Sequence, residues 1–147
     1  MHLNEAQQSL LSHWKHIQKK RGNLPARSDF RMQDMGRHAR NIVVMEILDN
    51  PTDFKYRLIG SSVVDHMHRD YTGETLSSLP GKGPDSKVWR NMDATRQSSE
   101  PQYLDVPYVG PHGAGGKTHT LYLPLAANHE TPDKIMLVTH YEAKHSL

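Results

Sequence analysis

The chain has no cysteine. That excludes disulfides, thiolate metal sites, cysteine nucleophiles and cysteinyl–cofactor adducts together. It also fits a reducing compartment, so the cytoplasm is the expected location. Long apolar runs are missing as well. No stretch approaches the roughly 18 residues that a membrane span needs, so no membrane partner is expected. The start, Met1-His2-Leu3-Asn4-Glu5, lacks a basic region followed by an apolar one, and no signal peptide is expected. Charge of one sign is scarce: 18 Lys and Arg oppose 16 Asp and Glu, for a net +2. The clustered basic stripe of a nucleic-acid binder is therefore not expected. Apolar residues are 35% of the 147, and the 10 Gly bring the share to roughly 42%, against an average of about 45–50% on that count. That composition supports one soluble domain with one modest core.

What the chain does have in excess is histidine, 11 in all. Histidines invite a metal or haem, but their spacing argues otherwise. His66 and His68 fall in a segment that reads as helical, where alternate residues point about 200° apart. His13 and His16 share a helix face but have no acidic company to complete four ligands. A haem needs one axial His in an apolar pocket. His66, His119 and His140 are the candidates, and none stands out. No metal ligand is assigned, and no cofactor is named.

Asn4 to Arg21 reads as a helix. Leu3, Leu10, Trp14 and Ile17 recur at helical spacing, Asn4 caps, Gln7 sits at the capping-box position, and Gly22 ends it. This segment, 1–22, is set apart from a domain over 23–147. A connector follows over 23–40, with one short helix through Met32, Met35 and Ala39. Asn41–Leu48 and Phe54–Gly60 read as a hairpin around the turn cluster 49–53. A short helix runs through Val63, Val64 and Met67. Pro84 or Asp85 opens a helix to about Ser99, with Val88, Trp89, Met92 and Thr95 inward. Three strands close the chain: Gln102–Val109, Thr118–Leu125 with Leu121, Leu123 and Leu125 on one face, and Lys134–Tyr141. Pro107 suggests an edge or a bulge. Gly113-Ala114-Gly115-Gly116 reads as a hairpin tip rather than a phosphate loop, because it lies between strands and lacks the P-loop glycine spacing. No Gly-x-Ser-x-Gly elbow or His-Glu-x-x-His helix occurs. The order predicts an α+β domain: a five-stranded antiparallel sheet with helices on one face, a pocket between them, and the N-terminal helix.

Several short motifs follow the same order. They are Trp14 on the first helix, Leu24-Pro25-Ala26-Arg27, Tyr56-Arg57-Leu58-Ile59-Gly60, Thr72-Gly73 and Leu123-Pro124-Leu125. In this the chain resembles a bacterial PAS-like family over roughly Trp14 to Tyr141. The resemblance implies a sensory, ligand-binding or protein-interaction module without catalysis of its own. It also implies that a light-sensing thiol adduct is out of reach, since there is no Cys. Nothing follows Leu147 in this sequence, so output is expected through another signalling protein or through self-association.

On this reading a small ligand would sit between the sheet and the helical middle. The candidate ligand-binding residues are Tyr56, Leu58, Met67, Tyr71, Trp89, Met92, Leu121 and Leu123. Arg57 is expected to point away and to pair with Asp29 or Glu46. The first-helix stripe either covers the sheet or buries Leu3, Leu10, Trp14 and Ile17 against a second copy, and a homodimer through this helix is expected. Two other readings stand beside this one. A small pocket enzyme would need titratable side chains converging in the cavity with shifted pKa values. A ligand-free adaptor would have a filled core.

Overall fold

The computed structural model describes residues 3–109 and 115–143. Helix α1 spans Glu5–Arg21. Its start is locked by a capping box: Gln7 N donates to Asn4 Oδ1 at 2.9 Å, and Asn4 N donates to Gln7 Oε1 at 3.0 Å. Its end is set by Gly22, whose φ of +73° lets its N–H reach Gln18 O. The connector then winds through two 3₁₀ turns, Arg27–Asp29 and Gly36–Asn41, on either side of α2, Met32–Met35.

Strands β1 (Ile42–Leu48) and β2 (Asp53–Ile59) form an antiparallel hairpin. Helix α3 covers Ser61–Met67, a 3₁₀ turn covers Leu76–Ser78, and α4 covers Lys87–Ser98. Helix α4 starts later than Pro84 or Asp85, because Ser86 takes the cap: its Oγ accepts from Trp89 N. Strands β3 (Gln102–Val109), β4 (Gly115–Leu125) and β5 (Lys134–Ala143) complete one antiparallel sheet in the order β2-β1-β5-β4-β3. Strand β4 begins before Thr118, and the tip at 110–114 lies outside the described residues. Pro107 does lie on an edge strand.

Both faces of the sheet are covered. On the outer face α1 and the connector bury Leu10, Trp14, Leu24 and Phe30 against Ile42, Val44, Leu121, Leu123, Leu125, Met136 and Val138. On the inner face α3, α4 and the 3₁₀ turn bury Val63, Leu76, Leu79 and Met92 against Val43, Met45, Phe54, Tyr56, Tyr122, Ile135 and Leu137. The first four residues of β1, Ile42 to Met45, are therefore all apolar and buried, because their alternate side chains enter two different cores.

The motifs are explained by this cover. The Trp14 indole donates to Pro124 O at 2.8 Å. Pro124 lies beyond the last residue of β4 that pairs with β3, so its missing N–H costs no bond on that side. Pro25 O accepts from Ala126 N at 2.8 Å, and Leu24 N donates to His129 O at 3.2 Å. Gly60 is required by a close approach: a Cβ there would lie 2.3 Å from the Arg40 carbonyl oxygen. Gly73 holds φ at +91° while its N–H bonds Tyr56 O at 2.7 Å.

The N-terminal stripe is consumed within the chain. Leu10 and Trp14 are each 1% exposed, so they are not available to a second copy, and only Leu3 and Ile17 remain half-buried. Arg57 makes no ion pair among the described residues. Asp29 pairs with Arg21 instead, at 2.6 Å.

Candidate functional site

The expected chamber between the sheet and the helical middle is filled by the inner-face cluster. Five of the eight candidate residues meet there. Tyr56 and Met92 are buried in it, and Met67, Tyr71 and Trp89 are half-buried against it. Helix α4 directs Trp89 and Met92 inward, three residues apart on one face. The Trp89 ring meets Phe54 edge to face at 5.3 Å, and its Nε1 donates to Asp53 Oδ1 at 3.4 Å. Asp53 also accepts from Ser77 Oγ and from Phe54 N, so one carboxylate ties α4, the 3₁₀ turn and β2 together. Tyr71 lies 6.2 Å from the Tyr56 ring, with the Arg69 guanidinium 4.5 Å over its own ring.

The other three candidates lie elsewhere. Leu121 and Leu123 belong to the outer face, under α1. Their alternation was correct, but the face was not: Tyr122, between them, is the side chain that enters the chamber. Leu58 is 42% exposed. The cause is a bulge. Met45 pairs with Tyr56 and Val44 with Leu58, which leaves Arg57 as an extra residue on β2. Beyond it the alternation is reversed, so Ile59, opposite Val43, packs on the inner cluster and Leu58 does not.

Sequence reasoning missed Phe54, Tyr122 and Asn91. Tyr122 is 2% exposed. Burial pushes its phenol up, and the Asn91 amide beside it works in the opposite sense. Burial likewise raises Tyr56, helped by the Tyr141 and Tyr71 hydroxyls. Both tyrosines therefore stay protonated at neutral pH and act as hydrogen-bonding groups rather than proton-transfer groups. Asn91 Nδ2 is sealed from water and lies close enough to the Tyr122 hydroxyl to lower its phenol, but it reaches no hydrogen-bond geometry among the described residues. A buried amide donor without a partner is costly, so it marks a place where a partner is wanted. An inward polar residue on α4 between Trp89 and Met92 was the available signal for it.

The histidines are placed as follows. His66 stacks on Tyr141 at 3.8 Å, His68 ends α3 with φ at +61°, and His119 is held by two carboxylates. No group of three or more His, Asp or Glu side chains among the described residues has a metal-holding arrangement. No helix among them is long and apolar enough to cross a membrane.

A family model described as "PAS domain" matches residues 2–138. The chain belongs to the PAS domain family. PAS domains are generally sensory or signalling modules rather than catalysts. Solved structures agree on the fold. A light-oxygen-voltage domain examined with a flavin analogue superposes with a TM-score of 0.53 at 12% identity, over 75% of this chain and 80% of that one. The Rhodobacter sphaeroides LOV protein gives 0.54 at 6% identity, over 71% of this chain and 61% of that one. The Aureochrome1 LOV domain gives 0.50 at 12%, over 70% and 81%. Among curated proteins there is no match.

Proposed function

We propose that this PAS domain is a sensory module. It holds a small ligand in the chamber under α3 and α4 and signals by a conformational shift read by another protein or a second copy. The observation that carries this reading is the Asn91 Nδ2, without a hydrogen bond among the described residues, in a layer of aliphatic side chains, rings and methionines. A ligand that accepts a hydrogen bond there would favour one arrangement of α4 over another, which is the differential affinity a sensor needs. Methionine and aromatic walls re-pack readily around a guest.

A flavin, suggested by the likeness to LOV proteins, does not fit these residues. There is no cysteine for an adduct. The space is taken by Phe54, Tyr56, Met92 and Tyr122, each no more than 5% exposed. The ligand this chamber suits is smaller and carries an acceptor oxygen or nitrogen.

Native mass spectrometry of the full chain purified from its host tests the reading. A retained small molecule, lost in Asn91→Leu, is the expected result. A bare mass with a tightly co-purifying protein would replace it with the adaptor reading. The same spectrum reports a dimer directly.

A further inference from the structure

The outer face of the sheet changes character along its length. Its middle is aliphatic, under α1. Beyond Leu121 the same row of β4 reaches His119, and the neighbouring strands bring Asp105 opposite on β3 and His140 opposite on β5. His119 Nδ1 lies 2.6 Å from Asp105 Oδ1, and His119 Nε2 lies 2.6 Å from Glu142 Oε2. Both ring nitrogens therefore face carboxylate oxygens, an arrangement that only the doubly protonated imidazolium satisfies. The ring is 16% exposed, while the two carboxylates are 48% and 57% exposed. This group spans three strands and lines a cleft of about 460 Å³ with Leu3 and Asn4, the residues that lead into α1. From one turn further along α1, Gln7 Nε2 donates to the backbone carbonyl of His119 at 2.8 Å and to that of Val138 at 3.0 Å.

We propose that His119, gripped at both nitrogens by Asp105 and Glu142, is a proton-operated clasp that holds the N-terminal end of α1 against the sheet. When the ring is neutral, one nitrogen presents a lone pair to a carboxylate. Two acceptors then face each other, and one of the exposed carboxylates swings out. The strand segment whose carbonyl anchors Gln7 loosens with it.

Every charged or titratable neighbour bears on the sign. From β3 come Asp105 and Tyr103, whose hydroxyl lies 3.2 Å from Nδ1 and whose phenol is pushed up to about 12 by burial and by Asp105. From β4 comes Lys117, which lowers both carboxylates, and from β5 come Glu142 and His140, with His140 stacked 5.8 Å from His119. The lead-in to α1 contributes Leu3 and Asn4 to the cleft, and neither side chain titrates. Burial opposes the charged ring, but the bonds to Glu142 and Asp105 outweigh it, and His119 titrates above its ordinary 6.5. Its contribution is therefore complete below 6.5 and is lost as pH rises through the raised value. The carboxylates are held below their ordinary 3.8 and 4.5, so their contribution is present above those values and fades as pH falls. The clasp is fastened between these limits and opens on the alkaline side.

The test uses the full chain and two readouts. Nuclear magnetic resonance follows the His119 ring, assigned by its absence in His119→Gln. Amide exchange of Gln7 and Leu10 is measured against Met92 and Thr95 in α4 as internal reference. The expected result is a ring protonated at both nitrogens near pH 6, a midpoint above 6.5, and a several-fold relative loss of α1 protection through that midpoint. The double variant Asp105→Asn, Glu142→Gln keeps the histidine and should lower the midpoint and remove the step. A midpoint at or below 6.5, unchanged α1 protection through it, or a step that persists in the double variant would overturn the proposal.

Discussion

The two faces of the sheet bury similar numbers of side chains by different means. The outer face is aliphatic, with Leu121, Leu123, Leu125, Val138 and Met136 under Leu10 and Trp14. It is closed by directed donors: the Trp14 indole on Pro124 O, and the Gln7 amide on two strand carbonyls. The inner face mixes aliphatic side chains with the rings of Phe54, Tyr56 and Tyr122 and the methionines Met45 and Met92, and leaves the Asn91 amide donor unanswered. One face is a finished interface, and the other is complete except for a hydrogen-bond partner.

The comparison can be broken most sharply at Trp14. Trp14→Ala removes a ring 1% exposed and strands the Pro124 carbonyl, so a loss of about 3–5 kcal/mol is expected in urea unfolding. A loss below about 1 kcal/mol would mean that α1 does not seal the face. Leu123→Ala should cost about 2–5 kcal/mol in the same assay, because Leu123 has no exposure at all. It should leave any ligand retained in the chamber in place, since its side chain lies on the other face. Asn91→Leu should act in the opposite direction. Removing an unpartnered buried donor raises the stability of the ligand-free protein by about 1 kcal/mol, seen as a higher Tm. A lower Tm would show that the Tyr122 hydroxyl beside it is already the amide's partner. Smallest of all is Leu58→Ala, expected within about 0.5 kcal/mol of the parent despite the identical chemical change to Leu123→Ala. Equal costs at the two leucines would contradict the bulge at Arg57.

Much of the fold was legible from local punctuation. Asn4, Gln7 and Gly22 delimit α1 by bonds made within four residues. The five strands follow from their runs and turns, and the element order leads to the antiparallel sheet. The chamber was only partly legible. Trp89, Met92, Met67 and Tyr71 were found because helix spacing and the flanking loop bring them to one side. Leu121 and Leu123 were misplaced because a sheet covered on both faces offers two apolar rows, and alternation alone does not say which row meets which helix. Tyr122 was lost for the same reason. Leu58 was misplaced because an inserted residue reverses the alternation without any mark in composition. The His119 clasp joins residues from three strands, and its members look like scattered surface charge until the register is known.

By itself, then, the sequence determined the elements, their order and the absence of thiol chemistry, since each of these rests on residue identity or on contacts within one or two turns of chain. The tertiary structure alone decided which face each strand residue serves, that α1 covers its own sheet, and that Asn91, Tyr122 and His119 sit where they do. Those outcomes depend on register, on a bulge and on which helix meets which row, and such long-range choices leave no periodic trace in the chain.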